Sequence, residues 1–435
     1  MHVVDLAQRS EVYGFEADRQ RVLASNTKLL TTAAALADLG PDFRFRTRFE
    51  LRGEVVGEAL RGDVAVFGAG DPNLSGRFHD GDSYAPFRPW ARALRARGVR
   101  RVEGELLLVN GIFEEPRIHP DWPRDQLTAW YEAPIDALSF NDNCVLVRVA
   151  PGRRAGLGTT ATTVPAMDHF PIRNSSRTIG GHGGKLIVSR EAASDALIVT
   201  GTIGERSAPL EVWVAVRDPV SYFAAAVRGA FAEEGVELAK SAFRYLHAPP
   251  DGTWEPVGVH ESELPPTLAV TNKRSQNFYA ESLAKLLGFR LRGSGSWASA
   301  ASVVSDFLVG LGIDGSEFQV ADGSGLSRAN RATPRAMTRL LDRMYFHPYG
   351  REFVQSLPFS GEDGLSWERR LAMPPYRGNV FAKTGSLRGV STLSGYAKAS
   401  SGKVYAFSIL LNRTNGGWAA RTAQDRIVRA LIDRG

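Results

Sequence analysis

Cysteine is almost missing: Cys144 is the only one in 435 residues. That excludes an internal disulfide and any cysteine-based zinc site, and it leaves the compartment open, since many exported bacterial enzymes lack disulfides too. No stretch approaches eighteen consecutive apolar residues, so the chain is not expected to span a membrane. Histidine supplies no metal pattern. His2, His79, His119, His169, His182, His247, His260 and His347 are scattered, with no HExxH or HxH. His119 and Asp121 form an HxD pair, but they flank Pro120 in a Pro/Trp-rich stretch that reads as a plain surface loop and not as a metal site. A strong charge of one sign is lacking as well: Lys+Arg 53 against Asp+Glu 47 leaves +6. That balance favours neither nucleic acid nor a dedicated anionic surface as partner, although a weakly anionic polymer would suit it. No export signal is visible, because Met1 runs directly into the strand-like HVVDL.

What is present is ordinary globular material. Hydrophobic residues at 43% and charged residues at 23% exclude wholesale disorder, and the length suits two or three domains. Residues 2–6 and 11–15 predict a hairpin. Ser25 stands before LLTTAAALADL, a helix that Gly40-Pro41 stops. From about 44 to 263 short β-type segments alternate with Gly/Pro/Asp turns. One helix intervenes, opened by Asp218-Pro219 with Phe223, Ala226, Val227 and Phe231 on one face. Helical text returns at 264. Tyr279, Leu283 and Leu286 share a stripe, as do Trp297, Ala301, Val304, Leu308 and Leu311, and Thr333-Pro334 opens a helix carrying Met337, Leu340, Leu341 and Met344. Three consecutive strands (GNVFAKTG, STLSGYAKA, KVYAFSILLN) follow, and a helix presenting Ile427, Val428, Leu431 and Ile432 closes the chain. The expectation is an α+β domain, an antiparallel sheet with helices, interrupted by a large mainly β insertion.

Three short motifs carry chemistry. Ser25-Asn-Thr-Lys28 matches S-x-x-K, and residues three apart on a helix lie about 5–6 Å apart at Cβ. A lysine whose pKa is lowered by desolvation or a neighbouring cation can take the serine proton, giving nucleophile and base on one helical turn. Ser282-Lys285 and Ser400-Lys403 match too, but Ser400 falls in a turn and Ser282 reads as a solvated helix edge beside Glu281. The helix start sets Ser25 apart, since free N–H groups and the dipole favour an alkoxide; its plain alternative is an N-cap serine. Ser275-Gln-Asn277 can bring a proton-relaying hydroxyl and a substrate-orienting amide into one cleft, with Ser139-Phe-Asn141 as a second match. Lys383-Thr384-Gly385-Ser386 ends a strand. There Thr384 and Ser386 would present neighbouring hydroxyls to a carboxylate, Gly385 would admit a substrate backbone, and Lys383 would add positive charge beneath.

S-x-x-K, S-x-N and K-T-G in that order form the motif set of the penicillin-interacting serine enzymes. With LASNTKLLTTAAAL, FGAGDPNLSG, ALSFNDN, TNKRSQNFYAESLAK, DGSGLSRANRATP and FAKTGSLRGVSTLSGYA, the whole chain resembles the S13 family of D-alanyl-D-alanine carboxypeptidases, the class C low-molecular-mass penicillin-binding proteins of PBP4 type. That family carries extra domains between the first two motifs, and 246 residues lie between Lys28 and Ser275 here, which puts Ser139 inside the insertion. The resemblance implies a penicillin-binding catalytic domain over 1–43 and 264–435, an insertion domain II over 44–70 and 138–263, and a domain III over 71–137. It implies Ser25 as the acylated nucleophile and Lys28 as its base. Ser275 and Asn277 are then the second motif, Lys383, Thr384 and Ser386 bind a terminal carboxylate, and the N–H groups of Ser25 and Ser386 form an oxyanion hole. Asp142 is a candidate for a stem-peptide amino group and Leu387 for an apolar wall. The activity implied is serine DD-carboxypeptidase with DD-endopeptidase, without metal or organic cofactor, acting on peptidoglycan stem peptides in the periplasm or at the wall and acylated by β-lactams. Family members carry an export signal and a helix ahead of the first strand; export is inferred on that ground. The rival readings are a β-lactamase or esterase on the same scaffold and a catalytically silent wall-binding protein.

Overall fold

The two ends of the chain meet in one sheet. A computed structural model describes residues 1–414 and 417–435, and in it five strands run antiparallel in the order Ser10–Gly14, His2–Asp5, Val404–Asn412, Val390–Lys398, Val380–Leu387. The strand Val390–Lys398 is buried along its length except at Lys398, as a strand covered on both faces should be. On one face Val3, Leu393, Ala397, Tyr405, Phe407 and Ile409 form a core with Val428 and Ile432 of the helix Gly417–Arg434 and with Trp367. On the other face lies the helix Pro334–Tyr345, whose Leu341 carbonyl accepts the Tyr396 hydroxyl at 2.8 Å. Thr333 caps that helix through the Ala336 N–H, so Thr333-Pro334 opens it as the sequence implies.

Beside the sheet stands a helical layer around Thr27–Leu39, in which every residue from Thr27 to Leu36 is buried. It packs against Leu264–Lys273, Asn277–Arg292 and Trp297–Gly310. The Trp297 helix buries Trp297, Ala300, Val303, Val304 and Leu308, a stripe rotated from the expected one. Leu311 caps the helix end instead of extending its apolar face.

These elements belong to one compact unit made of Met1–Arg44, His119–Trp122 and Glu263–Gly435, and a second unit holds Phe45–Ile118 and Pro123–Ser262. The second unit is mainly β. A seven-stranded sheet contains Arg44–Val56, Ala59–Phe67, Arg101–Val102, Leu106–Val109, Glu237–Leu238, Phe243–Leu246 and Glu255–Glu263, and two smaller sheets accompany it. Within that sheet Leu106–Val109 pairs with Val64–Phe67. Asp218 caps Pro219–Glu233, which buries Phe223, Ala226, Val227 and Phe231 as expected. A second helix, Arg88–Ala96, escaped the sequence reading because its three arginines leave only Trp90, Ala91 and Leu94 to mark a buried face. Trp90 stacks on Phe49 at 5.3 Å.

Candidate active site

The nucleophile candidate sits on a forced turn. Ser25 lies in the 3₁₀ turn Ala24–Asn26, one residue before the N-cap of Thr27–Leu39, so it is not a simple N-cap serine. Ala24 carries φ +48°, a conformation that costs a non-glycine residue about 1–3 kcal/mol and persists only when its surroundings impose it. Here they do. Thr392 Oγ1 donates to Leu23 O at 2.8 Å, Leu23 N to Asn330 O at 3.1 Å and Asn26 Nδ2 to Lys383 O at 2.8 Å.

Lys28 is fully buried, and its Nζ lies 3.2 Å from Ser25 Oγ, 2.7 Å from Asn277 Oδ1 and 2.8 Å from Ser324 O. Burial pushes the amine down to about 7, against the opposing pull of Glu281 and Asp322. A neutral amine is therefore accessible near neutrality, as a base for Ser25 requires. From the opposite side Lys383, also buried, donates from Nζ to Ser275 Oγ at 2.8 Å and Thr384 O at 3.0 Å. Its amine is held well below the ordinary lysine range, by burial first and by Lys28 second. Ser275 has φ +56°, so a second strained residue faces the cleft. Hydrogen bonds thus join Ser25 and Lys28 to Asn277, 249 residues from Lys28, and Lys383 to Ser275, 108 residues away.

The strand Val380–Leu387 supplies the remaining edge. Lys383 and Gly385 are buried, Thr384 is half-buried and Ser386 exposed, the alternation that puts both hydroxyls on one face. A Cβ on Gly385 would fall 2.2 Å from Thr392 Oγ1 and 2.9 Å from Ser25 N, so glycine is what lets this strand close on the nucleophile turn. Leu387 ends the strand half-buried, opposite Val390. Asp142 lies in the second unit, where it forms an ion pair with Arg77.

Two readings need correction. Ser282 and Lys285 are not a solvated edge: both are buried, with Lys285 Nζ 4.6 Å from the Trp297 ring centroid. The 119–122 segment is not a plain surface loop either. Trp122 is buried and donates from Nε1 to Asp322 Oδ2 at 3.0 Å, and Asp121 accepts the Ser327 hydroxyl at 2.7 Å. Glu281 was missed altogether. Its two oxygens accept the N–H groups of Gly323 and Ser324, each at 2.8 Å. Its spacing, four residues after Asn277, puts it on that residue's helix face but does not by itself mark it as buried. Gly325 completes the loop at φ +86°, with room for no side chain because a Cβ would lie 1.9 Å from Ala24 O.

Comparison with known proteins gives the family and the fold. The D-Ala-D-Ala carboxypeptidase 3 (S13) family matches residues 1–433. A D-alanyl-D-alanine carboxypeptidase of Actinomadura sp. (strain R39) is 33% identical, the alignment covering 99% of this chain and 80% of the relative. The D-alanyl-D-alanine carboxypeptidase DacB of Haemophilus influenzae is 26% identical over 91% of this chain and 81% of its own. The crystal structure of penicillin binding protein 4 from H. influenzae shares the fold, with a TM-score of 0.81 at 23% identity, covering 98% of this chain and 95% of that one. The chain belongs to the D-Ala-D-Ala carboxypeptidase 3 (S13) family.

Proposed function

We propose that this serine DD-carboxypeptidase, which also acts as a DD-endopeptidase, cleaves D-Ala-D-Ala and D-Ala-containing cross-link amides of peptidoglycan stem peptides through an acyl-enzyme on Ser25. The observation that carries the reading is the Lys28 amine, lowered to about 7 and 3.2 Å from the Ser25 hydroxyl. Neutral Lys28 takes the Ser25 proton as Oγ attacks the carbonyl carbon of the penultimate D-Ala. The N–H groups of Ser25 and Ser386 stabilise the oxyanion. The C–N bond then breaks, Ser275 passes a proton to the departing amine and regains one from protonated Lys28, which is thereby neutral again, and D-Ala leaves. Water adds to the ester, Lys28 removes its proton, and Ser25 is released with the shortened peptide. Asn277 orients the substrate backbone, while Lys383, Thr384 and Ser386 hold the terminal carboxylate with Gly385 giving access. Asp142 is the candidate for a stem-peptide amino group, and Leu387 forms an apolar wall.

β-Lactams would acylate the same oxygen and leave slowly. Both oxygens of Glu281 are occupied by backbone N–H groups, and Asp322 accepts from Gly325, Ser327, Asn330 and Trp122. Neither carboxylate is placed to activate water as a β-lactamase needs. The place of action is the periplasm or the cell wall; no helix among the described residues is long and apolar enough to cross a membrane. The test is mass spectrometry of the enzyme mixed first with muropeptides and then with penicillin. Release of D-Ala and a persistent adduct on Ser25 are expected; full hydrolysis by Ser25→Ala would refute the nucleophile.

A further inference from the structure

Behind the base lies a buried carboxylate that the steps above do not use. Glu281 is fully buried on the helix Asn277–Arg292, one turn beyond Asn277. Its two oxygens hold consecutive N–H groups of the 322–325 loop, those of Gly323 and Ser324. The same loop is pinned by Thr31, whose hydroxyl donates to Gly323 O at 2.7 Å, and by Asp322, which accepts the Gly325 N–H at 2.7 Å. Its Ser324 carbonyl points at Lys28 Nζ. Burial first and Asp322 second push the Glu281 carboxyl up to about 8, but both of its oxygens accept backbone N–H groups, which holds it ionised here, because a protonated oxygen would face a donor instead of an acceptor. Removing a buried acceptor of this kind leaves an unsatisfied N–H and moves the carbonyl that follows it.

We propose that Glu281 is the positioning residue of the general base: it fixes the loop that presents the Ser324 carbonyl to Lys28, and it supplies the buried negative charge against which the Lys28 amine is set. The proposal rests on Ser25 and Lys28 being the reacting pair. The groups facing Lys28 are Glu281 from its helix, Asp322 from the loop and Lys383 from the strand Val380–Leu387. Glu281 itself faces Asp322 and Lys28, with Lys285 one turn further along its own helix. Glu281 and Asp322 raise the proton affinity of Lys28 against the effect of burial.

The test is the pH dependence of acylation by a chromogenic β-lactam, measured for wild type, Glu281→Gln and Glu281→Asp. Losing the negative charge lowers the proton affinity of Lys28. In Glu281→Gln the acid limb of the profile should therefore move about one unit to lower pH. Its plateau should fall at least about tenfold as the base weakens, while the β-lactam concentration giving half-maximal acylation changes less than about twofold. Glu281→Asp keeps the charge and withdraws the oxygens, so the limb should stay and only the plateau should fall. A Glu281→Gln profile lying at the wild-type position overturns the proposal. If that variant does not fold, a wild-type plateau in Glu281→Asp overturns it equally. Wild-type enzyme that is never acylated would instead overturn the Ser25 reading, so the two failures are distinguishable.

Discussion

Two lysines face each other across the cleft, each buried, and Lys28 adds to the burial that lowers the hold of Lys383 on its proton. For Lys28 the lowered value of about 7 sets a pH dependence with a definite sign. Below that value the amine is protonated and cannot accept the Ser25 proton, so acylation should rise about tenfold per pH unit and level off above about 7. Stopped-flow acylation by a chromogenic β-lactam between pH 5 and 9 measures this, and a flat profile through 7 would exclude Lys28 as the base. Ser25→Ala removes only a half-buried hydroxyl that accepts from Lys28. It should abolish both D-Ala release and the penicilloyl adduct, yet leave the melting temperature within a few degrees of wild type. Intact-mass spectrometry and thermal denaturation check the two halves. At this scale much was legible: Ser25, Lys28, Ser275, Asn277 and Lys383 stand in short motifs whose spacing already implies chemistry. Glu281 was not legible, because a glutamate on a helix is nearly always solvated. Nothing local to Glu281 says that its helix is walled in on every side.

Among the elements, the strand Val380–Leu387 and the loop 322–325 are pressed against the nucleophile turn, and each closes there through a glycine. In Gly385→Ala the new methyl would overlap Thr392 Oγ1 and crowd Ser25 N. The strand must then withdraw, at a cost of about 1–3 kcal/mol in stability. A displacement of roughly 1 Å at the reacting atoms should lower acylation about 100-fold. Chemical denaturation and β-lactam kinetics measure these, and an unaffected acylation rate would mean that the strand does not shape the site. Trp122 anchors the loop from the far side through its indole N–H on Asp322. Trp122→Phe keeps most of the packing but removes that donor, and should cost about 1–3 kcal/mol with little change in acylation, because Asp322 keeps Gly325, Ser327 and Asn330. The strands and helices of the first unit could be read from periodicity and caps. The burial of Trp122 could not, since a Pro/Trp-rich stretch carries no period that says what it will touch.

Across the whole molecule the site joins residues 24–28, 275–281, 322–325 and 383–386, and the Lys28–Asn277 bond closes a separation of 249 residues. Such closure sacrifices chain entropy before any site contact rewards it, and long-range pairing folds slowly. On dilution from denaturant, binding of a fluorescent penicillin should therefore return later than the far-UV circular dichroism signal. Simultaneous recovery of the two signals would show that the site assembles with its secondary structure.

The sequence by itself determined the chemistry: which serine has a lysine one turn away, which motifs follow and in what order, and that helices, insertion and closing strands form an α+β protein. Those features are local, set by spacing along a helix or strand and by caps and turns a few residues long. Only the tertiary structure decided that the Lys28 amine is dry enough to be a base, that a glutamate on an apparently ordinary helix holds the loop behind it, and that Trp122 is buried against that loop. Proton affinity and burial depend on what surrounds a group in three dimensions. Those surroundings come from segments hundreds of residues away, which no local pattern specifies.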